Sequence, residues 1–262
     1  MTAIDLNCDL GEAFGAWRMG EDEALLGVVS SASIACGFHA GDPSTMRRTC
    51  AAAAARGVSV GAHVGYRDLA GFGRRPMRVP PEELADEITY QISALDGFAR
   101  LAGTRVGYVK PHGALYNTAA VDAEQAGAVA DAVGRYDPGL ALVGLAGSEG
   151  LRIAAERSLT TIAEAFADRA YTPEGALVSR LRPGSVLHDP DEIVERCVTM
   201  VRDGRVRAVD GGLIEFSAQT VCVHGDTPGA VEIARRLREG LLAAGITLEP
   251  FVKQRDVKQP TR

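Results

Sequence analysis

An α/β fold is what this sequence predicts: a (β/α) barrel of about seven parallel strands, irregular and TIM-like. Short apolar runs alternate with helix-period segments along most of the chain, which implies a parallel sheet. Polar clusters recur where those runs end: Asp9 and Glu12, His39, His63, Lys110 and His112, then His224 and Asp226. A barrel gathers such strand ends on one face. The length of 262 residues suits one such domain, 1–262. An open doubly wound sheet is the structural alternative.

The elements follow in order. Ile4–Cys8 reads as the first strand, leading into a loop with Asp9, Glu12 and two glycines. Glu21–Val29 has room for two helical turns. Ser33–Cys36 is a second strand, broken at Gly37, and a helix restarts with Asp42 at the N-cap and Pro43 at its first position. It runs to Arg56 and stops at Gly57. Val58–Ala62 is a third strand that delivers His63. The loop 65–77, with aromatics and three arginines, has the composition of a lid over an anionic substrate.

From Pro80 to about Ala102, Leu84, Ile88, Ile92, Leu95 and Phe98 recur three or four residues apart and mark a long amphipathic helix. Val106–Val109 is a strand, Asp122–Arg135 a helix, Leu140–Leu145 a strand, Ser148–Arg157 a helix and Thr160–Phe166 a strand that carries Glu164. Thr172–Gly184 is punctuated by Pro and Gly and reads as an irregular connection. Asp189-Pro190 caps a helix to about Val201. Arg205–Ser217, turning at Asp210-Gly211-Gly212, has the pattern of a β-hairpin insertion. Val221–Val223 is the last inner strand, followed by a helix to about Ala244 and a short polar tail.

Composition narrows the function. Hydrophobic residues make up 46% and charged residues 24%, enough apolar side chain for a sizeable core. A net charge of −6 and the lack of a basic, aromatic-laced stripe argue against nucleic acid as a partner. The N-terminal segment has no leader-like pattern and no apolar run is long enough for a bilayer, so no membrane partner and a cytoplasmic location are expected. The five cysteines, widely spaced and odd in number, read as reduced thiols, with Cys8, Cys36 and Cys222 as buried packing residues.

Four of the five histidines (39, 63, 112 and 224) follow strands, and with Asp9, Glu12 and Asp226 they can share one pocket. Such a set supplies general acid and base, or ligands for a divalent metal; Asp9, His39 and His63 are the candidate ligands, although no HExxH or CxxC spacing assigns one. Of three lysines, Lys253 and Lys258 lie in the tail, so Lys110 is the one lysine of the folded body. Placed two residues before His112, it suits a carboxylate, a phosphate or an oxyanion. No GxxxxGK[ST] or GxGxxG motif marks a nucleotide site.

Taken together, Leu6–Glu12, Ala35–Pro43, Val60–His63, Gly71–Arg75, Lys110–Tyr116, Glu164–Arg169 and Cys222–Pro228 are similar to the motifs of the LamB/YcsF family, in order over nearly the whole chain. Val64 departs from the family pattern, which has Pro there. The resemblance implies a barrel like that of the glycoside hydrolase/deacetylase group. It also implies ATP-dependent opening of the lactam of 5-oxo-L-proline to L-glutamate, performed with two partner subunits, B and C.

Because this chain has no recognisable ATP motif, ATP is expected to act through those partners, which would phosphorylate the lactam oxygen while this chain directs water at the activated carbon. Asp9, alone or with His39 or His63, is then the expected base. Lys110 and His112 would steady charge on oxygen, and Arg74 or Arg75 would hold the substrate carboxylate. Glu12, Asp168, His224 and Asp226 complete the expected substrate contacts. The rival readings are a metal-dependent amide or N-acetyl hydrolase acting alone, and a non-catalytic substrate-binding subunit.

Overall fold

The computed structural model describes residues 2–225 and 229–253. Seven parallel strands close into a barrel: β1 (Ala3–Leu10), β2 (Ser31–Ala35), β3 (Ser59–Val64), β4 (Val106–Pro111), β5 (Ala141–Leu145), β6 (Thr160–Phe166) and, after the hairpin strands β7 (Arg205–Arg207) and β8 (Leu213–Glu215), β9 (Thr220–Val223). Each pairs with the next, and β9 returns to β1 with Asp5 opposite Thr220 and Cys8 opposite Val223. Closure removes the sheet edges that an open doubly wound sheet would leave. The hairpin is antiparallel, with Val206 opposite Ile214.

The helices are α1 (Asp22–Leu25), α2 (Pro43–Ala55), α3 (Pro81–Leu101), α4 (Gly113–Ala119), α5 (Ala123–Tyr136), α6 (Glu149–Glu156), α7 (Pro190–Asp203) and α8 (Ala230–Ala243). Their starts follow the capping residues. Asp42 accepts a hydrogen bond from the Thr45 amide at 2.9 Å, and Asp122 accepts from the amides of Glu124 and Gln125. Helix α3 buries Leu84, Ile88, Ile92 and Leu95 on one face, each worth about 1.5–3 kcal/mol of burial.

Four features differ from the sequence expectation. The 21–29 segment is helical only over Asp22–Leu25, since Val28 and Val29 turn into the core. Strand β4 continues two residues past Val109, so Lys110 lies inside the barrel wall. Helix α4 is hidden in sequence by Gly113 at its start, where φ is +53°. Residues Thr247–Leu248 form β10, which pairs with the start of β1 where a polar tail was expected.

The barrel's lower end is closed by Tyr108, Ala141, Val143 and Ile162, against which Phe251 and Val252 pack. Gly61 makes room for this plug, because a Cβ there would collide with the Tyr108 ring. Above it the interior turns polar. Asp5 is buried and its carboxylate accepts hydrogen bonds from the hydroxyls of Ser30, Ser31 and Thr220. Burial outweighs those bonds and pushes its pKa up to about 6 from 3.8.

A carboxyl with a raised folded-state pKa takes up protons more readily when folded, so its stability contribution grows as pH falls from about 6 towards 4. The wild type is therefore expected to gain up to about 3 kcal/mol relative to Asp5→Asn between about pH 7 and pH 4. Urea denaturation of both proteins across that range checks this, and parallel pH curves would contradict it.

Candidate active site

The C-terminal ends of the strands deliver the functional side chains. Lys110, only 1% exposed, projects into the barrel from β4. Its Nζ lies 2.8 Å from Asp9 Oδ1, 2.8 Å from Glu164 Oε1, 3.2 Å from Asn7 Oδ1 and 3.2 Å from Cys222 Sγ. Asn7 also donates to Glu164 Oε1 at 3.0 Å and to Thr220 at 2.7 Å, so these groups form one connected network. Burial alone would lower the Lys110 pKa, but Asp9 foremost, with Glu164, holds the ammonium well above the usual lysine range. Burial would likewise raise Asp9, but the neighbouring His63 and the Lys110 ammonium hold it well below the usual carboxylate range. Asp9 is therefore an ionised carboxylate locked through one oxygen, with its other oxygen 3.4 Å from His63 Nε2.

Above Asp9 sit three imidazoles and a carboxylate. Atoms of Glu12, His39, His63 and His112 lie within 4.8 Å of one another, all buried. His39 and His112 stack with centroids 3.8 Å apart, and His63 meets both edge-on. Gly73 allows this stack: its φ is +63°, and a Cβ would lie 2.7 Å from His39 Cβ and 2.8 Å from His112 Cδ2. Burial, and then the neighbouring imidazoles, hold both His39 and His112 well below the ordinary histidine range, which leaves them neutral.

The hydrogen bonds assign the tautomers. His63 Nδ1 lies 3.1 Å from the Lys110 carbonyl and His112 Nε2 lies 2.9 Å from the Phe72 carbonyl. A carbonyl only accepts, so those two nitrogens carry the protons. His112 Nδ1, left with a lone pair, faces His63 Nε2 across 2.9 Å. Glu12 Oε1 lies 3.6 Å from that His112 nitrogen and 3.5 Å from His39 Nε2. Neither nitrogen of the buried His39 has a hydrogen-bond partner among the described residues. The neutral imidazoles of His39 and His112 converge with the Glu12 carboxylate, an arrangement that suits a cation. Three imidazoles and one carboxylate can hold a borderline divalent metal. Asp9 is not one of this group of four; its Oδ1 lies on the Lys110 ammonium and its Oδ2 faces His63.

The remaining expected residues divide. Asp168 accepts from His224 Nδ1 at 2.8 Å, and His224 packs on Phe166. Arg74 lies over the Phe72 ring, which touches both His39 and His112. Arg75 is instead exposed and paired with Asp68, which also accepts from the Gly71 amide and so shapes the 65–77 loop. Asp226 lies outside the described residues. All five cysteines are free and buried. Val64 continues β3, and its carbonyl accepts from the His112 amide at 2.7 Å. Sequence reasoning missed Asn7 and the role of Glu164. An acid inside a buried strand calls for a buried cation, and Lys110 was the one lysine available.

The profile of the LamB/YcsF family matches residues 4–256. The chain belongs to the LamB/YcsF family. Among its relatives, the 5-oxoprolinase A subunit of Nocardia farcinica is 59% identical over 95% of this chain and 99% of its own length. One of the 5-oxoprolinase A subunits of Pseudomonas syringae pv. tomato is 56% identical over 97% of this chain and all of its own. The crystal structure of a lactam utilization protein from Thermus thermophilus superposes with a TM-score of 0.91 at 45% identity, covering 95% of this chain and all of that one. Among the described residues, no helix is long and apolar enough to cross a membrane.

Replacing the central cation tests the network. Lys110→Met leaves Asp9 and Glu164 buried with no cation between them, and a loss of about 3–5 kcal/mol is expected at neutral pH by chemical denaturation. Glu164→Gln added to Lys110→Met should recover part of it; a loss below about 1 kcal/mol would show that the buried ammonium is not required for the fold.

Proposed function

We propose that this chain is the A subunit of an ATP-dependent 5-oxoprolinase and performs the hydrolytic step that opens 5-oxo-L-proline to L-glutamate. The observation that carries this reading is Asp9: an ionised carboxylate, oriented between Lys110 and His63 at a barrel mouth, in a chain whose relatives bear that name. Lactam hydrolysis needs a base for water, charge stabilisation at the carbonyl oxygen and a proton for the leaving nitrogen.

Asp9 Oδ2 is the acceptor for the water proton, because Oδ1 is held by Lys110. Lys110 fixes the orientation and charge of that base from below, a narrower role than a direct contact to substrate oxygen. His63 is oriented by its Nδ1, bonded to the Lys110 carbonyl, so that Nε2 faces Asp9 and the imidazole cluster. His112 is oriented by the Phe72 carbonyl, so the placement of the 65–77 loop and that of the imidazole are linked. A five-membered lactam is a stable amide, and activation by ATP on the partner subunits B and C makes its carbonyl carbon susceptible to water. Glu12, His39, His63 and His112 would hold a divalent metal, which would supply Lewis acidity beside the scissile carbonyl.

Glutamate formation from 5-oxo-L-proline, measured with the purified chain, its two partners and ATP, is expected only when all are present. Asp9→Asn should lower kcat by roughly 10²–10⁴-fold with the fold retained. If Asp9→Asn and His63→Ala both kept wild-type turnover, the assigned roles would be wrong. Metal binding is read separately: after chelation, the full chain should take up about one equivalent of Co(II) with the visible spectrum of nitrogen ligation. His39→Ala and His112→Ala should lose that stoichiometric uptake, and unchanged uptake in both would place the metal elsewhere.

A further inference from the structure

Asp5 and Asp9, on the same strand, are joined by a chain of hydrogen bonds whose direction is fixed at each link. Asp5 is 1% exposed, and its carboxylate accepts from the hydroxyls of Ser30, Ser31 and Thr220. An ionised carboxylate only accepts. The Thr220 hydroxyl must therefore give its single hydrogen to Asp5 Oδ2. Only its lone pairs are left for its other neighbour, Asn7 Nδ2, at 2.7 Å.

Asn7 has one orientation that satisfies all of its partners. The Lys110 ammonium only donates, so the amide oxygen faces it at 3.2 Å, and Nδ2 places its two hydrogens on Thr220 and on Glu164 Oε1, the latter at 3.0 Å. Asn7 Oδ1 and Glu164 Oε1 in turn hold Lys110 Nζ, which lies 2.8 Å from Asp9 Oδ1. The chain thus runs Asp5, Thr220, Asn7, Lys110, Asp9, across β1, β9 and β4. A charge at position 5 enforces its polarity. A neutral group there can donate to Thr220, whose own hydrogen then turns towards the Asn7 amide hydrogens and breaks that link.

We propose that Asp5 and Thr220 are positioning residues for the Asp9 carboxylate, acting through Asn7 and Lys110. For turnover this rests on the reading of Asp9 as the base. Asp5 lies four residues before Asp9, about 13 Å further from the mouth along the strand, so it acts only through the residues above it. Around Asp5, Ser30, Ser31 and Thr220 supply uncharged hydroxyls, Glu164 on β6 adds like charge, and Tyr108 on β4 has its hydroxyl bonded to Ser33 and kept protonated by burial. Lys110 and Asp9 lie further along the chain, and Glu249, whose amide bonds the Ile4 carbonyl beside β1, is exposed. Burial places the titration of Asp5 at about 6, so the enforcing charge is present above that pH and lost below it.

Lysine-selective ¹⁵N NMR reads the chain without turnover. The sequence has three lysines, and in a Lys253→Arg, Lys258→Arg background of the full chain the remaining signal is that of Lys110. Its Nζ resonance is expected to shift with a midpoint at about pH 6, and Asp5→Asn should remove that step. Thr220→Val, which keeps the side-chain shape without the hydroxyl, should diminish the shift, and Thr220→Ser should restore it. A Lys110 resonance that titrates identically in wild type, Asp5→Asn and Thr220→Val overturns the proposal.

In the reconstituted complex at about pH 8, Asp5→Asn and Thr220→Val should each lower kcat by roughly 10-fold or more with KM for 5-oxo-L-proline within about twofold, and Thr220→Ser should recover most of the loss. Thermal denaturation separates positioning from folding. Asp5→Asn removes a charge that burial disfavours, so its midpoint at that pH is expected to be no lower than that of the wild type. Unchanged kcat in both variants, or a loss matched in both by a lower midpoint, overturns the positioning role. Absence of glutamate formation by the complete wild-type complex would defeat the functional reading, while the Lys110 resonance would still decide whether Asp5 governs the chain.

Discussion

An ammonium group sealed inside a barrel must be balanced by opposite charge within hydrogen-bond reach, and Lys110 of β4 imposes that condition on three other strands at once. Asn7 and Asp9 from β1, Glu164 from β6 and Cys222 from β9 all reach its Nζ. Desolvation of such a charge is expensive, and only a complete set of partners offsets it. The register between β1, β6 and β9 is therefore tied to the placement of one side chain. The same contacts hold Asp9 ionised and aimed, so the group that stabilises the barrel interior also orients the carboxylate we propose as the base.

The second constraint is steric. Three imidazoles and Glu12 fit one small volume because the loops above them carry glycine where a side chain would collide. Gly73 is the clearest case, packed against both His39 and His112 with a backbone conformation that disfavours other residues. The loop that contributes Gly73 is itself organised by Asp68 and bonded through Phe72 to His112. Site and loop thus share their hydrogen bonds. Displacing the loop would release an imidazole nitrogen as well as open the mouth.

Much of the architecture was legible in local patterns. Apolar periodicity located most strands and helices, and Asp42, Asp122 and Asp189 marked helix starts by capping that the structure bears out. Short segments escaped for physical reasons. Helix α4 begins at a left-handed glycine, and β10 is two residues long and exists only because β1 offers an unpaired edge there. The imidazoles and Asp9 were visible as strand-end residues, but their division into a metal-competent four and a lysine-bound carboxylate was not. Arg75 illustrates the same limit: its neighbour in sequence, Arg74, lies over the Phe72 ring, while Arg75 turns to Asp68.

What the sequence by itself determined was the alternation of elements, their caps, the presence of a solitary internal lysine and the ordered motifs of a family. These are short-range properties, encoded by periodicity and by residues a few positions apart. Only the tertiary structure decided which strand-end groups meet. Asp9 and Lys110 are 101 residues apart in the chain, yet their atoms lie 2.8 Å apart. Strand register and barrel closure set that distance, because they fix where each side chain enters the interior. No local pattern contains that information.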